Sequence, residues 1–190
     1  MEYSKESLLR SDRSFSRSDF IFFWGHTDRK AETGKACLSQ WYPSPFVVDD
    51  GYYHCAEQYM MAQKARLFGD SETFIQIMAS YDPMTIKKLG RRVGNFSDSV
   101  WRCNRIKVVV DANLAKFSQN VKLLEFMLST GDKILVEASP YDTIWGIGMT
   151  EDDPAVCDPR QWKGENLLGF ALMKVRDILK KGGTENIENI

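Results

Sequence analysis

The chain has 190 residues, of which 43% are hydrophobic, 27% charged and 12% aromatic, a composition typical of a globular domain with a substantial core. Its 25 basic and 26 acidic residues give a formal net charge of −1, and no long basic run is present, so a broad nucleic-acid-binding surface is not indicated. No apolar run approaches the roughly 18 residues of a membrane span. The four cysteines are widely spaced and match no zinc-ligand pattern, which indicates thiols in a reducing compartment. We expect a cytoplasmic protein, or a nuclear one in a eukaryote.

The first predicted elements lie between residues 20 and 68. The aromatic run Phe20–Trp24 predicts a short buried strand. Phe46–Tyr53 predicts a hairpin with Asp50-Gly51 at its turn. A helix is then predicted over Cys55–Phe68, because apolar residues dominate this segment and a glycine follows it.

The second half of the chain is predicted to be mostly helical. Caps and apolar spacing predict helices over Asp70–Ser80, Asp82–Gly90, Ser97–Ser118, Val121–Ser129 and Asn166–Lys180, with a strand at Ile134–Ala138. No repeat, heptad seam or alternating strand–helix rhythm is present. We therefore expect an α+β fold, a mostly helical single domain of residues 20–181 with a small β-sheet and hairpins. Residues 1–19 are predicted to be a flexible N-terminal tail and residues 182–190 a disordered C-terminal tail.

The predicted helix Cys55–Phe68 is apolar on almost every side and yet carries Glu57 and Lys64. These two residues are separated by two turns, so their side chains leave from the same face, too far apart for an i,i+4 ion pair. Met60 and Met61 fill the face between them. The pair is consistent with two solvated charges at the ends of a core helix. It is equally consistent with a carboxylate and an ammonium that act on opposite ends of one ligand.

A second polar cluster is the segment Glu137–Gly148, EASPYDTIWGIG. A predicted strand leads into Asp142, Trp145 and Gly146, a combination common at ligand sites because glycine lets a backbone approach closely. The structural alternative is a turn in which Asp142 caps backbone N–H groups and Trp145 fills the core. Taken alone, the segment favours the structural alternative.

Other signals are weaker. Asn166 can cap the last helix, whose N-terminus is also suited to an anion. Arg91 follows a helix end and could contact a phosphate. Aromatic side chains near polar segments could sandwich a nucleobase, although several must be core residues. The tryptophans in such positions are Trp24, Trp41, Trp101, Trp145 and Trp162.

Taken together in this order, six segments resemble the NADAR family, also known as the YbiA-like N-glycosidases, and together they span most of residues 20–180. The segments are LSQWYPSPF (Leu38–Phe46), EQYMMAQK (Glu57–Lys64), LGR (Leu89–Arg91), LAKF (Leu114–Phe117), DTIWGIG (Asp142–Gly148) and NLLGFALMKVR (Asn166–Arg176). The family's usual Asn and Phe in the first segment are Gln40 and Trp41 here. The resemblance implies a YbiA-like fold.

The resemblance also implies cleavage of an N-glycosidic bond between a ribose and a nitrogen base. The leading expectation is removal of ADP-ribose from ADP-ribosylated guanine in DNA or RNA. Hydrolysis of ribosylamino-pyrimidine intermediates of riboflavin synthesis is an alternative. A module that binds ADP-ribose or NAD without cleaving it, and a purely structural or interaction domain, are the non-enzymatic alternatives.

Such a reaction needs a carboxylate to stabilise an oxocarbenium-like ribose and a proton for the departing base. Lys64 could bind a phosphate or a hydroxyl, or act as a nucleophile. Our working hypothesis is that it is the catalytic amine, which forms a Schiff base with ring-opened ribose. Glu57 would help the proton transfers and Asp142 would orient the ribose. No step requires a metal or redox cofactor. The expected substrate-binding residues are Trp24, Ser39, Trp41, Tyr59, Arg91, Trp101, Trp145, Gly146 and Asn166.

Overall fold

The computed structural model describes residues 3–11, 13–27 and 33–182. Within these ranges the chain forms seven α-helices and four short strands. The strands are β1 (Phe20–Phe23), β2 (Phe46–Val48), β3 (Gly51–Tyr53) and β4 (Ile134–Glu137). The helices are α1 (Lys5–Arg10), α2 (Ala56–Leu67), α3 (Ser71–Met78), α4 (Pro83–Arg91), α5 (Asp98–Ser118), α6 (Val121–Ser129) and α7 (Leu167–Gly182). The expected mostly helical α+β fold is confirmed.

Strands β1 and β4 form a parallel pair whose register places Phe23 opposite Glu137. The other edge of β4 is covered by the side chain of Asn166, which immediately precedes α7. Its amide nitrogen donates to the Leu135 carbonyl at 2.9 Å, and its amide oxygen accepts from the Glu137 N–H at 3.0 Å. Asn166 is fully buried and has a φ of 56°, a left-handed conformation that Asn tolerates better than most residues. One side chain thus takes the place of a third strand.

Helix α2 lies in the centre of the helical part of the fold, in contact with α3, α4 and α5. Its Ala62 and Ala65 are fully buried, since a helix that is covered on several sides needs small residues where neighbours approach. The approach to α4 depends on Gly90, where an added Cβ would lie 1.9 Å from the sulfur of Met61. This close contact positions the α4 backbone directly against α2.

The predicted hairpin is confirmed, but its turn lies one residue earlier than Asp50-Gly51. Val48 pairs with Gly51, so the two turn residues are Asp49 and Asp50. Asp49 has a φ of 50°, which aspartate accepts in turns because its short side chain can satisfy nearby backbone groups. Gly51 lies instead against the Tyr53 ring, where a Cβ would be 2.7 Å from the hydroxyl oxygen.

The described part of residues 1–19 differs from the flexible tail that the sequence predicts. It contains α1, and the Tyr3 hydroxyl donates to Asp177 of α7 at 2.7 Å. The Lys5 ammonium donates to the Trp162 carbonyl at 2.5 Å. Both anchors lie more than 150 residues away in sequence, so no local pattern could indicate them. At the other end Gly182 closes α7, and the rest of the predicted C-terminal tail lies outside the described residues.

No helix within the described ranges is long and apolar enough to cross a membrane.

Gly169 of α7 offers a test of how closely this helix must approach β4. An added Cβ would lie 2.0 Å from the Leu135 carbonyl oxygen and 2.5 Å from the Asn166 amide nitrogen. We expect Gly169→Ala to lower the free energy of unfolding by about 1–3 kcal/mol, because neither atom can move without disturbing β4. Urea unfolding would measure the change. Gly182→Ala is the matched control, since a Cβ there meets no described atom within 4 Å; equal losses in both variants would contradict this account.

Candidate active site

Three carboxylates from separate parts of the chain come together at the carboxyl end of β4. Glu57 comes from the first turn of α2, Glu137 from the end of β4, and Asp142 from the loop that follows. The negative charge of Asp142 raises the pKa of both glutamates, whereas the positive charge of Lys87 on α4 lowers both. In the part of the chain that the structure describes, no group of three or more His, Cys, Asp or Glu side chains could hold a metal ion.

Glu57 is deeply buried, with only 4% of its surface exposed. Its backbone N–H donates to the Gln40 carbonyl at 2.9 Å, and the Trp41 side chain donates a hydrogen bond to its carboxylate. Burial raises the pKa of Glu57 to about 7, although the charges of Lys87 and Arg91 and the hydrogen bond from Trp41 oppose the rise. A carboxyl group with this pKa can both give and accept a proton near neutral pH.

The turn that carries Trp41 is held by α5. The side-chain amides of Gln40 and Asn113 bond to each other at 3.1 and 3.4 Å, and both residues are buried. The fully buried Lys116 donates its ammonium to the Ser39 carbonyl at 2.8 Å, and the Ser39 hydroxyl accepts the Trp41 N–H at 3.2 Å. Ser39, which the resemblance assigns to substrate binding, is thus used within the protein to fix this turn.

Lys64 lies two turns from Glu57 on the face of α2 that meets α4. Its ammonium donates to the Gly90 carbonyl at 2.8 Å and lies 4.2 Å from the centre of the Phe96 ring and 5.8 Å from that of Trp101. Burial lowers the pKa of Lys64, and the negative charge of Glu57 acts in the opposite direction. The amine is therefore closer to its neutral form than an ordinary lysine, and it is electrostatically coupled to Glu57.

The loop after β4 forms the structural turn that its sequence predicts and also brings a carboxylate to the cluster. One oxygen of Asp142 accepts the backbone N–H groups of Ile144 at 2.9 Å and Trp145 at 2.8 Å, which is the predicted structural turn. A Cβ on Gly146 would lie 2.8 Å from the Glu137 carbonyl oxygen, so glycine is required to bring the loop against the strand end. Asp142 therefore caps a turn and also places its charge within the cluster.

Two residues that the resemblance assigns to substrate binding have structural roles instead. Tyr59 lies about 200° around α2 from Glu57. Its ring packs against Tyr53 and Phe46 in the core, with ring centres 5.0 and 6.1 Å apart, and burial raises its pKa to about 12. Asn166 uses both ends of its amide to cover the edge of β4. The structure brings neither side chain into the carboxylate cluster.

The aromatic residues predicted to bind a base differ in their exposure. Trp24 directly follows β1 and is 55% exposed, and its ring centre lies 6.0 Å from that of Tyr141, which is 87% exposed. Trp145 is half-buried beneath the guanidinium of Arg105, 5.8 Å from its ring centre. Trp101 is only 8% exposed and lies behind the Lys64 amine described above. Trp24 and Tyr141 therefore present exposed rings to which a ligand has access.

Two members of the cluster, Glu137 and Lys87, were missed by the sequence reasoning. Glu137 ends the otherwise apolar strand Ile134–Glu137, and a lone carboxylate at a strand end beside a glycine-containing loop could have been recognised as a candidate. Lys87 lies one helical turn before Arg91, so both point from the same face of α4. The spacing of these charged residues along their own strand or helix could therefore be recognised in the sequence. That the strand end and the helix face come together in one cluster could not.

Two buried carboxyl groups of raised pKa and a nearby amine of lowered pKa form the kind of arrangement that acid–base enzymes use. The NADAR domain model matches residues 22–180, which is most of the chain. N-glycosidase R617 of Acanthamoeba polyphaga mimivirus is 44% identical over 163 residues, covering 83% of this chain and 95% of that protein. The chain belongs to the NADAR domain family. The enzyme class expected from the sequence, an N-glycosyl hydrolase, is confirmed by this relative.

Two further comparisons concern the fold and the substrate. The NMR structure of the E. coli protein YbiA matches with a TM-score of 0.71 and 25% identity, covering 93% of this chain and 94% of that one. The expected YbiA-like fold is therefore confirmed. Riboflavin biosynthesis protein VVA0006 of Vibrio vulnificus is 27% identical over 187 residues, covering 98% of this chain but only 46% of that protein.

The raised pKa of Glu57 predicts a pH-dependent loss of stability. Because its pKa is about 7 in the folded protein against an ordinary 4.5, the folded state holds a proton that the unfolded chain releases. Stability should therefore fall as the pH rises between these two values. We expect Glu57→Gln to exceed the parent in free energy of unfolding by roughly 1–3 kcal/mol at pH 8, and the gain to vanish near pH 4.

Urea unfolding at both pH values would measure this difference. Glu125→Gln, which removes an exposed glutamate of α6, is the control for loss of a surface charge. A Glu57→Gln protein that is less stable than the parent at pH 8 would show that the carboxylate is favourably paired rather than desolvated.

Proposed function

We propose that this N-glycosyl hydrolase removes ADP-ribose from ADP-ribosylated guanine in nucleic acid. The observation that carries the proposal is the pairing of Glu57 and Lys64 on one face of α2. The first is a buried carboxyl group with a raised pKa, and the second is a half-buried amine with a lowered pKa. The two groups are coupled electrostatically, so each favours the other's ionised form. This combination suits proton transfer and nucleophilic attack at a single sugar carbon.

In this proposal Lys64 is the amine that attacks the sugar. A ribose bonded to a base through nitrogen can open to expose C1 as an aldehyde equivalent, and a neutral amine forms a Schiff base with such a carbon. Glu57 lies two turns away and exchanges protons with the reacting groups, because its pKa lies near neutrality. Asp142, with one oxygen committed to its own loop, accepts hydrogen bonds from ribose hydroxyls with the other.

The positive charges around the cluster support a substrate with phosphates. Lys87 and Arg91 of α4 both act on the carboxylate of Glu57, and Arg105 of α5 lies over the Trp145 ring. Guanidinium groups suit phosphate oxygens because they can donate two parallel hydrogen bonds. A diphosphate between two ribose units would take such contacts without requiring a basic surface over the whole domain.

The exposed pair Trp24 and Tyr141 supports a substrate with planar bases beside the sugar. Base stacking on aromatic side chains is tolerant of sequence and is worth about 1–3 kcal/mol per base. A local site of this kind could accept one modified base turned out of a nucleic acid strand. It would do so despite the chain's formal net charge of −1.

Hydrolysis of a ribosylamino-pyrimidine phosphate is the second candidate. It is favoured by the similarity to the Vibrio protein, whose name refers to riboflavin biosynthesis. The same bond type would be broken, so Lys64 and Glu57 would serve unchanged. A module that only binds ADP-ribose or NAD gains nothing from Glu57, since burying a carboxylate costs free energy that binding alone does not require.

Chemical trapping tests the amine. Borohydride added during turnover of an ADP-ribosylated guanine oligonucleotide should leave a covalent adduct on Lys64, located by peptide mass spectrometry. Lys64→Ala should lose the adduct and slow release by roughly 100-fold or more, because the nucleophile is absent. Lys122→Ala, which removes an exposed lysine of α6, is the matched control. Normal turnover by Lys64→Ala would contradict the assignment.

Substrate choice is tested with the parent protein alone. We expect release of free ADP-ribose from an ADP-ribosylated guanine oligonucleotide to exceed release of base from a ribosylamino-pyrimidine phosphate by at least tenfold in kcat/KM. The physical reason is that only the first substrate offers a diphosphate and a second base to the cations and exposed rings. Chromatography of the released products would measure both rates. The reverse order would favour the riboflavin-related reaction.

A further inference from the structure

Glu137 has a fixed backbone and a side chain without a hydrogen-bond partner on one oxygen. Its N–H is held by the Asn166 side chain at 3.0 Å, and its carbonyl accepts the Ile147 N–H at 2.9 Å. Its neighbour across the sheet is Phe23. The Oε2 atom is buried, and no group among the described residues donates a hydrogen bond to it. A buried acceptor left in this state lowers stability, and at the centre of a site it is available to a ligand.

The charged groups that face Glu137 oppose its ionisation. Asp142 in the adjoining loop and Glu57 on α2 are both negative when ionised, and the positive charge of Lys87 on α4 opposes them. Burial and these carboxylates raise the pKa of Glu137 to about 8. The surroundings of Glu57 favour its ionised form more, because it accepts a hydrogen bond from Trp41 and two cations act on it. The different surroundings thus separate the pKa values of the two glutamates, and Glu137 keeps its proton to higher pH than Glu57.

We infer that Glu137 is the general acid that protonates the departing base, whereas Glu57 serves the sugar side of the reaction. The inference rests on the proposed ribosyl–base cleavage. Its geometric basis is the orphan Oε2 atom, which lies in the same cluster as Glu57 and Asp142 and is not committed to any described partner. Asp142 is less suited to this role because one of its oxygens already accepts two backbone N–H groups.

The proton balance of the step is closed by water. When the neutral amine of Lys64 attacks C1, the bond from C1 to the ring oxygen breaks, and that oxygen takes the proton that the attacking nitrogen loses. The nitrogen lone pair then forms the C1=N bond as the bond from C1 to the base breaks. The electron pair of the broken bond goes to the base nitrogen, which takes the proton of Glu137 and leaves that side chain ionised. Water then adds to C1 and gives one proton back to Glu137. The resulting hydroxyl loses its proton to the Lys64 nitrogen, and the free sugar and the amine separate.

The test compares the parent with Glu137→Gln in release of ADP-ribose from an ADP-ribosylated guanine oligonucleotide between pH 5.5 and 9.5. The parent's kcat/KM should fall as the pH rises through about 8, the pKa of Glu137 in the free protein, because the acid is then lost. Glu137→Gln should lose roughly 10²–10⁴-fold in kcat and show no such alkaline fall. Glu125→Gln should match the parent throughout. A Glu137→Gln protein with the parent's rate, or with the parent's alkaline fall, overturns the inference.

A second measurement separates this role from a structural one. Free ADP-ribose carries its own aldehyde, so when it is incubated with the protein to equilibrium before borohydride is added, it should be trapped on Lys64 of Glu137→Gln to the same extent as on the parent, because the equilibrium amount of Schiff base does not depend on the acid that speeds its formation. Loss of trapping together with loss of turnover would mean that Gln disrupts the site, and would overturn the assignment of an acid.

The remaining outcomes are also decisive. If Glu137→Gln does not fold, Glu57→Gln provides the test, since it keeps Glu137 and its residual activity should still fall above about pH 8; a flat profile overturns the inference. A parent that releases no base from any ribosylated substrate overturns the proposed function and this inference with it. A parent that releases base while Glu137→Gln does so equally well overturns the inference alone.

Discussion

The carboxylate of Glu57 is buried on the central helix α2, and several neighbouring elements supply the groups that offset the cost of burying it. Taking an isolated charge out of water costs several kcal/mol unless partners compensate. The compensation comes from the Trp41 side chain and from cations on α4, among which Lys87 lowers the pKa of Glu57 most. The turn that carries Trp41 is itself fixed by Asn113 and Lys116 of α5. Three elements therefore converge on one carboxyl group.

Helix α2 has to serve the core and the site together. Its apolar faces are covered by neighbouring elements, and the contact between Met61 and Gly90 brings α4 close enough for the Gly90 carbonyl to accept the Lys64 amine. The same closeness desolvates Lys64 and Glu57 and moves their pKa values toward each other. The packing that stabilises the fold is thus also what shifts the pKa values of the two groups, at some cost to stability near neutral pH.

Most of the fold could be predicted from local sequence because its helix boundaries are set locally. Asp70 and Asp82 each accept the backbone N–H of a residue three positions later, and α3 and α4 begin directly after them. Helix α1 also begins after a local cap, since the Ser4 hydroxyl accepts the Ser7 N–H at 3.0 Å, but its attachment to α7 could not be predicted because the hydrogen bond from Tyr3 to Asp177 joins opposite ends of the chain. The hairpin turn was misplaced by one residue because Asp49 adopts the left-handed conformation that glycine usually supplies.

The sequence by itself determined that Glu57 and Lys64 share a face, since the period of an α-helix fixes the direction of every side chain along it. It also determined the family, through motifs kept in order along the chain. Only the tertiary structure decided that Glu137 enters the cluster and that Tyr59 is left out of it. The physical reason is that these placements depend on the register of β1 with β4 and on which side of α2 faces the core. Both are set by contacts between residues far apart in sequence, which local spacing does not encode.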